Sequence, residues 1–409
     1  MIVKNINIRK KEVILLGNIS VLSEEDQQTV DFLNIKEVYS EPTFALAEKL
    51  SLISQKSTAV FFVICGTKKV IAQWSNLLVS YGMNYGENFV DFVFIKHYLK
   101  KSEAITKKKL IVAYGNCQMH DYYDCLNRCP DFVKKYDSSY FKYEKYARWE
   151  EEQVENLLCF ADVFIITKES FDKKHRDLEK FVIKNNPFCR IISIPCYSFR
   201  GVFPQTNPHI QEQNKFDIVQ DIFNTFHRED IYSNRMIDAG KSIESIIAQY
   251  QSETTFEGTA IKKLFELSLK QLAMMDRASD IKIYNYVNEN VTSRRLFKDP
   301  VHMEDELVWH LTRQILNILE CNAPENNLGG TIHYFSELPI YPEVASTLGL
   351  KWWDHNSKCE LRMSEGMLLV TPKEFIERYY LFCKNVHQIK KSLHINKEDE
   401  HNVLEFFKI

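Results

Sequence analysis

Several features that would assign a protein class at once are missing from this chain of 409 residues. No apolar run reaches the roughly 18 residues that a membrane span needs, and the first residues lack the order of regions that marks a signal peptide. Charges nearly balance, with a formal net charge of -3, so no basic surface predicts nucleic-acid binding. We therefore expect a soluble, cytoplasmic protein without a nucleic-acid partner.

Metal and dinucleotide signatures are also missing. The ten cysteines include no C-x-x-C pair, and no further ligand completes a set around Cys125 and Cys129. Free thiols in a reducing compartment are the simplest account, so we expect no metal. Gly17 follows the first predicted strand, but the segment around it lacks the G-x-G-x-x-G pattern. Repeats and low-complexity tracts are absent as well, which leaves a globular chain of two or three domains.

What the sequence does contain is a regular alternation of strand-like and helix-like segments, which predicts an α/β fold with parallel sheets. We predict a small Rossmann-like α/β domain over residues 1–105, a doubly wound parallel-sheet domain over 106–325 and a helical C-terminal extension over 326–409. The predicted strands are Val13–Leu16, Glu37–Tyr39, Ala59–Ile64, a last strand within residues 88–95, and then Leu110–Ala113, Ala161–Thr167 and Arg190–Pro195.

The stretch YGNCQ, residues 114–118, follows the buried strand Leu110–Ala113 and precedes a predicted helix. Gly115 and Asn116 supply the backbone freedom of a tight turn, and Cys117 lies at its tip. A helix N-terminus favours a thiolate or an oxyanion, so Cys117 is a candidate nucleophile. The alternative is that Cys117 is a small buried apolar residue, the commonest fate of a free cysteine.

A second candidate is the segment LFKDPVH, residues 296–302. Pro300 cannot lie inside a helix, whereas Met303 onward has a helical pattern, so we expect His302 in an exposed turn. Asp299, three residues earlier, can accept from one imidazole nitrogen while the other faces a nucleophile. The alternative is that Asp299 caps the helix and His302 is a surface residue.

Two aromatic groups could face a ligand. The loop CYSFRGVFPQTNPH, residues 196–209, sets Tyr197 and other rings beside Arg200, which makes a stacking surface for a sugar or adenine ring. Equally, the rings could pin the loop onto the core. The pair Trp352 and Trp353 presents the same choice between ligand and packing.

The YGNCQ turn, ADVFIIT, the loop after Pro195 and LFKDPVH together resemble the WcbI-type polysaccharide biosynthesis proteins over residues 108–320. The resemblance also implies a plan similar to SGNH esterases and transferases, in which a strand-end nucleophile pairs with an Asp-x-x-His block. It places the family cysteine, glutamine and late histidine at Cys117, Gln118 and His302. Val301 and Met303 stand where the family usually has Asn and Pro.

The resemblance implies acetyl or other acyl transfer from acyl-coenzyme A to a sugar hydroxyl in capsular polysaccharide biosynthesis. Cys117, His302 and Asp299 are then catalytic, and Gly115, Asn116 and Gln118 form the oxyanion turn. Two alternative functions remain: a glycan esterase or deacetylase of the same geometry, and a non-catalytic glycan-assembly module. Whether the chain forms a homo-oligomer is left open. The candidate contacts for the phosphates of coenzyme A are Arg148, Lys168, Arg200, Arg294 and Arg295, and Tyr197 is a further candidate contact for the coenzyme.

Overall fold

The computed structural model describes residues 12–17, 30, 33, 35–56, 60–65, 68–85, 88–103, 108–142, 148–168, 173–206, 230–252, 255–325, 336–354, 356–363 and 366–392. The chain divides into two compact units, Met1–Ile194 and Pro195–Ile409. Among the described residues, none of the helices combines the length and apolar character needed to cross a membrane.

The described part of the first unit contains two four-stranded sheets. The strands of the first sheet are β1 (Glu12–Gly17), β2 (Ile35–Tyr39), β3 (Val60–Cys65) and β4 (Phe89–Asp91). Those of the second are β5 (Lys109–Gly115), β6 (Tyr136–Lys142), β7 (Val163–Lys168) and β8 (Arg190–Pro195). The helices of this unit are α1 (Phe44–Lys56), α2 (Lys68–Ser80), α3 (Phe92–Glu103), α4 (Cys117–Asn127), α5 (Pro130–Lys135), α6 (Arg148–Leu158) and α7 (Lys173–Asn185).

Both sheets have the same strand order. The first runs β2-β1-β3-β4 and the second β6-β5-β7-β8, so each follows the order 2-1-3-4 counted from its own first strand. The pairs β5–β6 and β5–β7 are parallel, as are the three pairs of the first sheet. In such a sheet the connections leave in opposite directions from the middle strands, which opens a crevice beyond their carboxyl ends. In the second sheet this switch point lies between β5 and β7.

One hydrophobic core joins the two sheets of the first unit. It includes strand residues of both sheets, among them Val63 and Val112, which are fully buried. Polar contacts add to this core, because Lys96 and His97 of α3 lie 3.0 and 3.1 Å from Asp137 Oδ2 on β6. Burial alone would raise the pKa of Asp137, but the hydrogen bond from His97 and the charge of Lys96 outweigh it and lower the pKa to about 2.

The second unit is mostly helical in its described part. Its helices are α8 (Ile231–Asp238), α9 (Ile243–Gln251), α10 (Gly258–Arg277), α11 (Tyr284–Asn290), α12 (Asp305–Ile318), α13 (Pro342–Leu348) and α14 (Pro372–Ser392). The strands β9 (Cys359–Met363) and β10 (Gly366–Val370) form an antiparallel hairpin. The C-terminal extension, which the sequence predicts to be helical, thus also contains a hairpin.

The structure differs from the predicted elements at two further places. The last strand predicted within residues 88–95 is only three residues long, because Asp91 Oδ1 accepts from the backbone N–H of Phe94 at 2.9 Å and starts helix α3. Strand β6 was not predicted. Its sequence, YDSSYFK, is polar and lies at the edge of the second sheet, so it lacks the apolar run of the inner strands.

Candidate active site

The Cys117 turn lies where β5 passes into α4. Asn116 is the N-cap of α4, and its Oδ1 accepts from the backbone N–H groups of Gln118 at 3.1 Å and Met119 at 3.4 Å. These N–H groups have no acceptor within the helix, so the cap stabilises its first turn. Cys117 is consequently the first residue of α4, directly beyond the carboxyl end of a middle strand.

Two neighbouring strands hold this turn. Thr167 Oγ1, near the end of β7, accepts from the Asn116 N–H at 3.3 Å, and Tyr140 of β6 donates its hydroxyl to Asn116 O at 2.9 Å. Gly115 packs so closely that an added Cβ would lie 2.1 Å from Thr167 Oγ1 and 2.7 Å from Met119 Cβ. A side chain at residue 115 is therefore excluded, and three strands fix the position of Cys117.

The burial of Cys117 distinguishes it from most of the other cysteines. Its side chain is half-buried, whereas six of the ten cysteines are buried. The aligned peptide dipoles of α4 favour negative charge at this position. Cys189 is also half-buried, but it does not begin a helix. Burial and the nearby Asp162 carboxylate raise its pKa to about 12. Cys117 thus differs from the buried apolar cysteines, and its role as a nucleophile stays a prediction.

Two of the residues predicted to bind an oxyanion, Asn116 and Gln118, are hydrogen-bonded to each other. The Gln118 backbone N–H already donates to Asn116 Oδ1, and the Gln118 side chain is buried. The side-chain oxygen of Asn116 therefore acts here as an acceptor. An oxyanion can use the Gln118 N–H only if the Asn116 side chain releases it.

In the second unit, Asp299 organises the turn that carries His302. Its Oδ1 accepts from the backbone N–H groups of Val301 at 2.7 Å and His302 at 3.0 Å, while its Oδ2 lies 2.5 Å from His302 Nδ1. Asp299 is fully buried and His302 is 5% exposed. With Nδ1–H donating to the carboxylate, a neutral imidazole keeps Nε2 as its basic nitrogen.

The turn differs from the prediction in two respects. His302 is buried rather than exposed, because the turn is closed by a hydrogen bond from Lys298 N–H to His302 O at 2.9 Å. Helix α12 begins at Asp305 and not at Met303, since Met303 pairs with Phe297 as an isolated β-bridge. Asp299 therefore holds the turn and the imidazole, and does not cap α12.

The family model of the polysaccharide biosynthesis enzyme WcbI matches residues 110–324. This match covers more than half of the chain. The chain belongs to the WcbI family of polysaccharide biosynthesis enzymes. The resemblance seen in the sequence is thereby confirmed, and both the Cys117 turn and the Asp299–His302 turn lie inside the matched segment.

A solved structure of WcbI itself is similar to this family member. It is described as a novel polysaccharide biosynthesis enzyme, in its native form without a disulfide bond between coenzyme A and one of its cysteines. The two chains are 12% identical with a TM-score of 0.54, and the match covers 73% of this chain and 98% of that one. At this identity the likeness shows the fold alone. No curated protein matches the chain.

The cations predicted to contact coenzyme A fall into two groups in this WcbI-family protein. Lys168 ends β7 and pairs with Glu179 at 2.7 Å, and Arg294 pairs with Glu306 at 2.5 Å. Their side chains are 40% and 55% exposed, so both can still reach a phosphate. The side chain of Arg148 lies outside the described residues.

The side chains of the other predicted contacts bind groups of the protein and are largely buried. Arg200 donates to Thr206 O, and burial lowers its pKa. Arg295 lies 3.3 Å from Glu304 and 3.2 Å from Glu337. Tyr197 is fully buried, and its hydroxyl donates to Ile281 O at 3.2 Å. The loop aromatics thus pin the loop onto the core, as the alternative interpretation held.

The Cys117 turn fits the reacting end of coenzyme A. A thioester or thiol requires a partly exposed partner held at fixed geometry, and Cys117 meets this need at the N-terminus of an eleven-residue helix. Lys168 lies next in sequence to Thr167, which binds the turn, so a cation is available at the same sheet edge. Both features lie in the first unit.

Sequence reasoning missed Tyr140 as a residue of this site. Its hydroxyl binds the turn, and its ring lies 5.3 Å from that of His120 in an edge-on arrangement. The only signal was the alternation within YDSSYFK, which brings Tyr136 and Tyr140 to one face of a strand. Detecting it would have required recognition of β6 itself.

Proposed function

We propose that this WcbI-family protein transfers an acyl group, in the simplest case acetyl, from acyl-coenzyme A to a sugar hydroxyl during surface polysaccharide biosynthesis. The observation that supports the proposal most is the position of Cys117. A half-buried thiol begins helix α4 at the switch point of a parallel sheet, and three strands hold its turn. Residues 106–325, which nearly coincide with the family match, are the proposed catalytic domain.

In the covalent route the Cys117 thiolate attacks the thioester carbonyl. The bond between the carbonyl carbon and the sulfur of coenzyme A breaks, and coenzyme A leaves as its thiolate, which takes up a proton. The sugar hydroxyl then attacks the acylated Cys117 while His302 Nε2 accepts its proton. An ester C–O bond forms, and the Cys117 thiolate is released. In this scheme Asp299 keeps the imidazole in the required tautomer, following the SGNH-like division of roles.

In the direct route His302 deprotonates the sugar hydroxyl, which attacks the thioester of the coenzyme without a covalent enzyme intermediate. Cys117 then only lines the thioester site. Both routes use the same two side chains and the same basic nitrogen, and they differ in whether Cys117 carries the acyl group. Lys168 and Arg294 are the proposed phosphate contacts, because both remain exposed beside their carboxylates.

The proposal is tested by incubating the full chain with acetyl-coenzyme A, with and without a mixture of sugar acceptors. Free coenzyme A and acetylated sugar are separated by chromatography, because ten cysteines would disturb a colorimetric thiol assay. Acyl transfer predicts coenzyme A release that rises with acceptor and equals the acetyl-sugar formed. Release that is independent of acceptor would instead indicate hydrolysis of the thioester and would contradict transfer to a sugar.

A matched control separates the candidate nucleophile from ordinary thiols. Cys117→Ala is expected to abolish the covalent route, whereas Cys189→Ala removes an equally half-buried thiol and should leave the rate unchanged. His302→Ala should lower the rate by about 10²–10⁴-fold if the imidazole is the general base. Wild-type activity in both Cys117→Ala and His302→Ala would reject the proposed site.

A further inference from the structure

The second unit contains a cavity of about 280 Å³ that neither catalytic turn uses. It is bordered by Arg295 after α11, by Glu337 and Pro339 before α13, and by Trp352, Trp353 and residues 357–359 after α13. Small-molecule sites usually measure about 300–1,000 Å³, so this cavity is at the lower limit. It has room for one sugar ring rather than for a nucleotide.

The aromatic wall of the cavity consists of two adjacent tryptophans. Trp352 and Trp353 are both partly exposed. Trp352 is held in place because its Nε1–H donates to Val291 O at 2.9 Å and the Arg295 guanidinium lies 5.8 Å from its ring centroid. A fixed indole ring such as that of Trp352 offers a flat apolar surface with little loss of conformational freedom on binding. The C–H face of a pyranose ring is a suitable partner for such a surface.

The polar part of the cavity is an ion pair. Arg295 Nη1 lies 3.2 Å from Glu337 Oε2, and their side chains are 18% and 11% exposed. Arg295 also donates to Leu338 O at 3.0 Å, and the same Glu337 oxygen accepts from the Glu360 N–H at 3.0 Å. A fixed donor beside a fixed acceptor suits sugar hydroxyls, since each hydroxyl can both donate and accept.

The position of the cavity along the chain suggests its role. Of the described lining residues, Arg295 lies inside the family match and the others follow residue 324. The matched segment contains the proposed chemistry, whereas this chain's later segment supplies the cavity. The cavity is therefore separate from the residues proposed to carry out the reaction, which leaves substrate binding as its role.

We propose that the cavity binds one pyranose ring of a glycan, stacked on Trp352 and Trp353 with hydroxyls on Arg295 and Glu337. The identification of this ring with the acceptor rests on the proposed acyl transfer. Sugar binding itself does not, and it is measured without coenzyme A.

Saturation-transfer NMR on the full chain tests the binding. The probes are the methyl pyranosides of glucose, galactose, N-acetylglucosamine and glucuronic acid. We expect at least one to bind saturably, with an affinity that falls about fivefold in Trp353→Ala, since loss of a stacking partner costs about 1 kcal/mol. Trp353→Phe should retain most of the affinity. Phe188→Ala, which removes an aromatic ring that is 95% exposed elsewhere, should leave it unchanged.

Two results overturn the cavity proposal: no saturable binding of any of the four glycosides, or unchanged binding in Trp353→Ala. The acyl-transfer assay separates this failure from that of the proposed function. In that assay Trp353→Ala should raise the KM for the sugar, whereas the control Phe188→Ala should leave it unchanged. If the chain binds a glycoside through Trp353 but cleaves no acetyl-coenzyme A, the cavity proposal stands and the acyl-transfer proposal is rejected.

Discussion

Replacement of Asp299 separates its structural role from its effect on His302. Asp299 is fully buried and accepts three hydrogen bonds, two from backbone N–H groups through Oδ1 and one from the imidazole through Oδ2. In Asp299→Asn the amide oxygen can keep both backbone bonds, while the NH₂ group faces Nδ1. The imidazole must then carry its proton on Nε2, which cannot act as a base.

The magnitudes follow from these contacts. Asp299→Asn loses one charge-assisted hydrogen bond and replaces it with a neutral one, so we expect a loss of about 1–2 kcal/mol in the free energy of unfolding. Asp299→Ala leaves two buried N–H groups and the imidazole without an acceptor, which should cost about 3–5 kcal/mol. The acyl-transfer rate of Asp299→Asn should fall by about 10²–10⁴-fold, because its base has the wrong tautomer.

The free energy of unfolding, from denaturant titration, and kcat/KM for acetyl-coenzyme A are measured on the same preparations, so that the loss of stability can be compared with the loss of activity. The reasoning predicts that Asp299→Asn loses far more activity than stability. Equal unfolding energies for Asp299→Asn and Asp299→Ala would refute the assignment of the backbone bonds to Oδ1. Full activity in a folded Asp299→Asn protein would refute the role given to the imidazole tautomer.

Three further predictions concern the first unit. Gly115→Ala should lower the free energy of unfolding in urea by about 1–3 kcal/mol, because its Cβ would meet Thr167 Oγ1 at 2.1 Å. The control Gly258→Ala, in the second unit, should be near neutral, because its Cβ would meet no atom closer than 3.8 Å. Asp137→Asn should lower the free energy of unfolding by about 2 kcal/mol at pH 7. The lowered pKa of about 2 stabilises the folded state above pH ~4, so the difference between variant and wild type should disappear as the pH falls through about 2. A stability loss that persists at that pH would contradict this explanation. Alkylation with iodoacetamide, followed by peptide mass spectrometry, should label Cys117 faster than any buried cysteine, and equal rates would count against a reactive thiol.

Prediction from sequence succeeded where burial alone decides the structure. Strands β1, β3, β5 and β7 are runs of branched or aromatic residues whose side chains are nearly all buried, so their pattern is unambiguous. The parallel arrangement followed from their alternation with helices. The contact between Asp299 and His302 was also accessible, because a separation of three residues allows a local hydrogen bond.

Prediction failed where tertiary contacts outweigh local pattern. β6 is polar because it is an edge strand, yet it supplies Tyr140 to the Cys117 turn. Residues after Asp91 look like a strand, but the Asp91 side chain starts a helix. The burial of His302 depends on Lys298 and on Phe199, whose N–H donates to Pro300 O at 2.7 Å from about a hundred residues earlier. No local window contains that contact.

The central claim is that Cys117 and His302 serve one reaction, and a double-mutant cycle on kcat/KM for acyl transfer tests it most directly. Residues that act together lose most of their effect with the first substitution. The account predicts that Cys117→Ala with His302→Ala is no slower, within about threefold, than the slower single variant. Losses that multiply, or a single variant with wild-type activity, would contradict it.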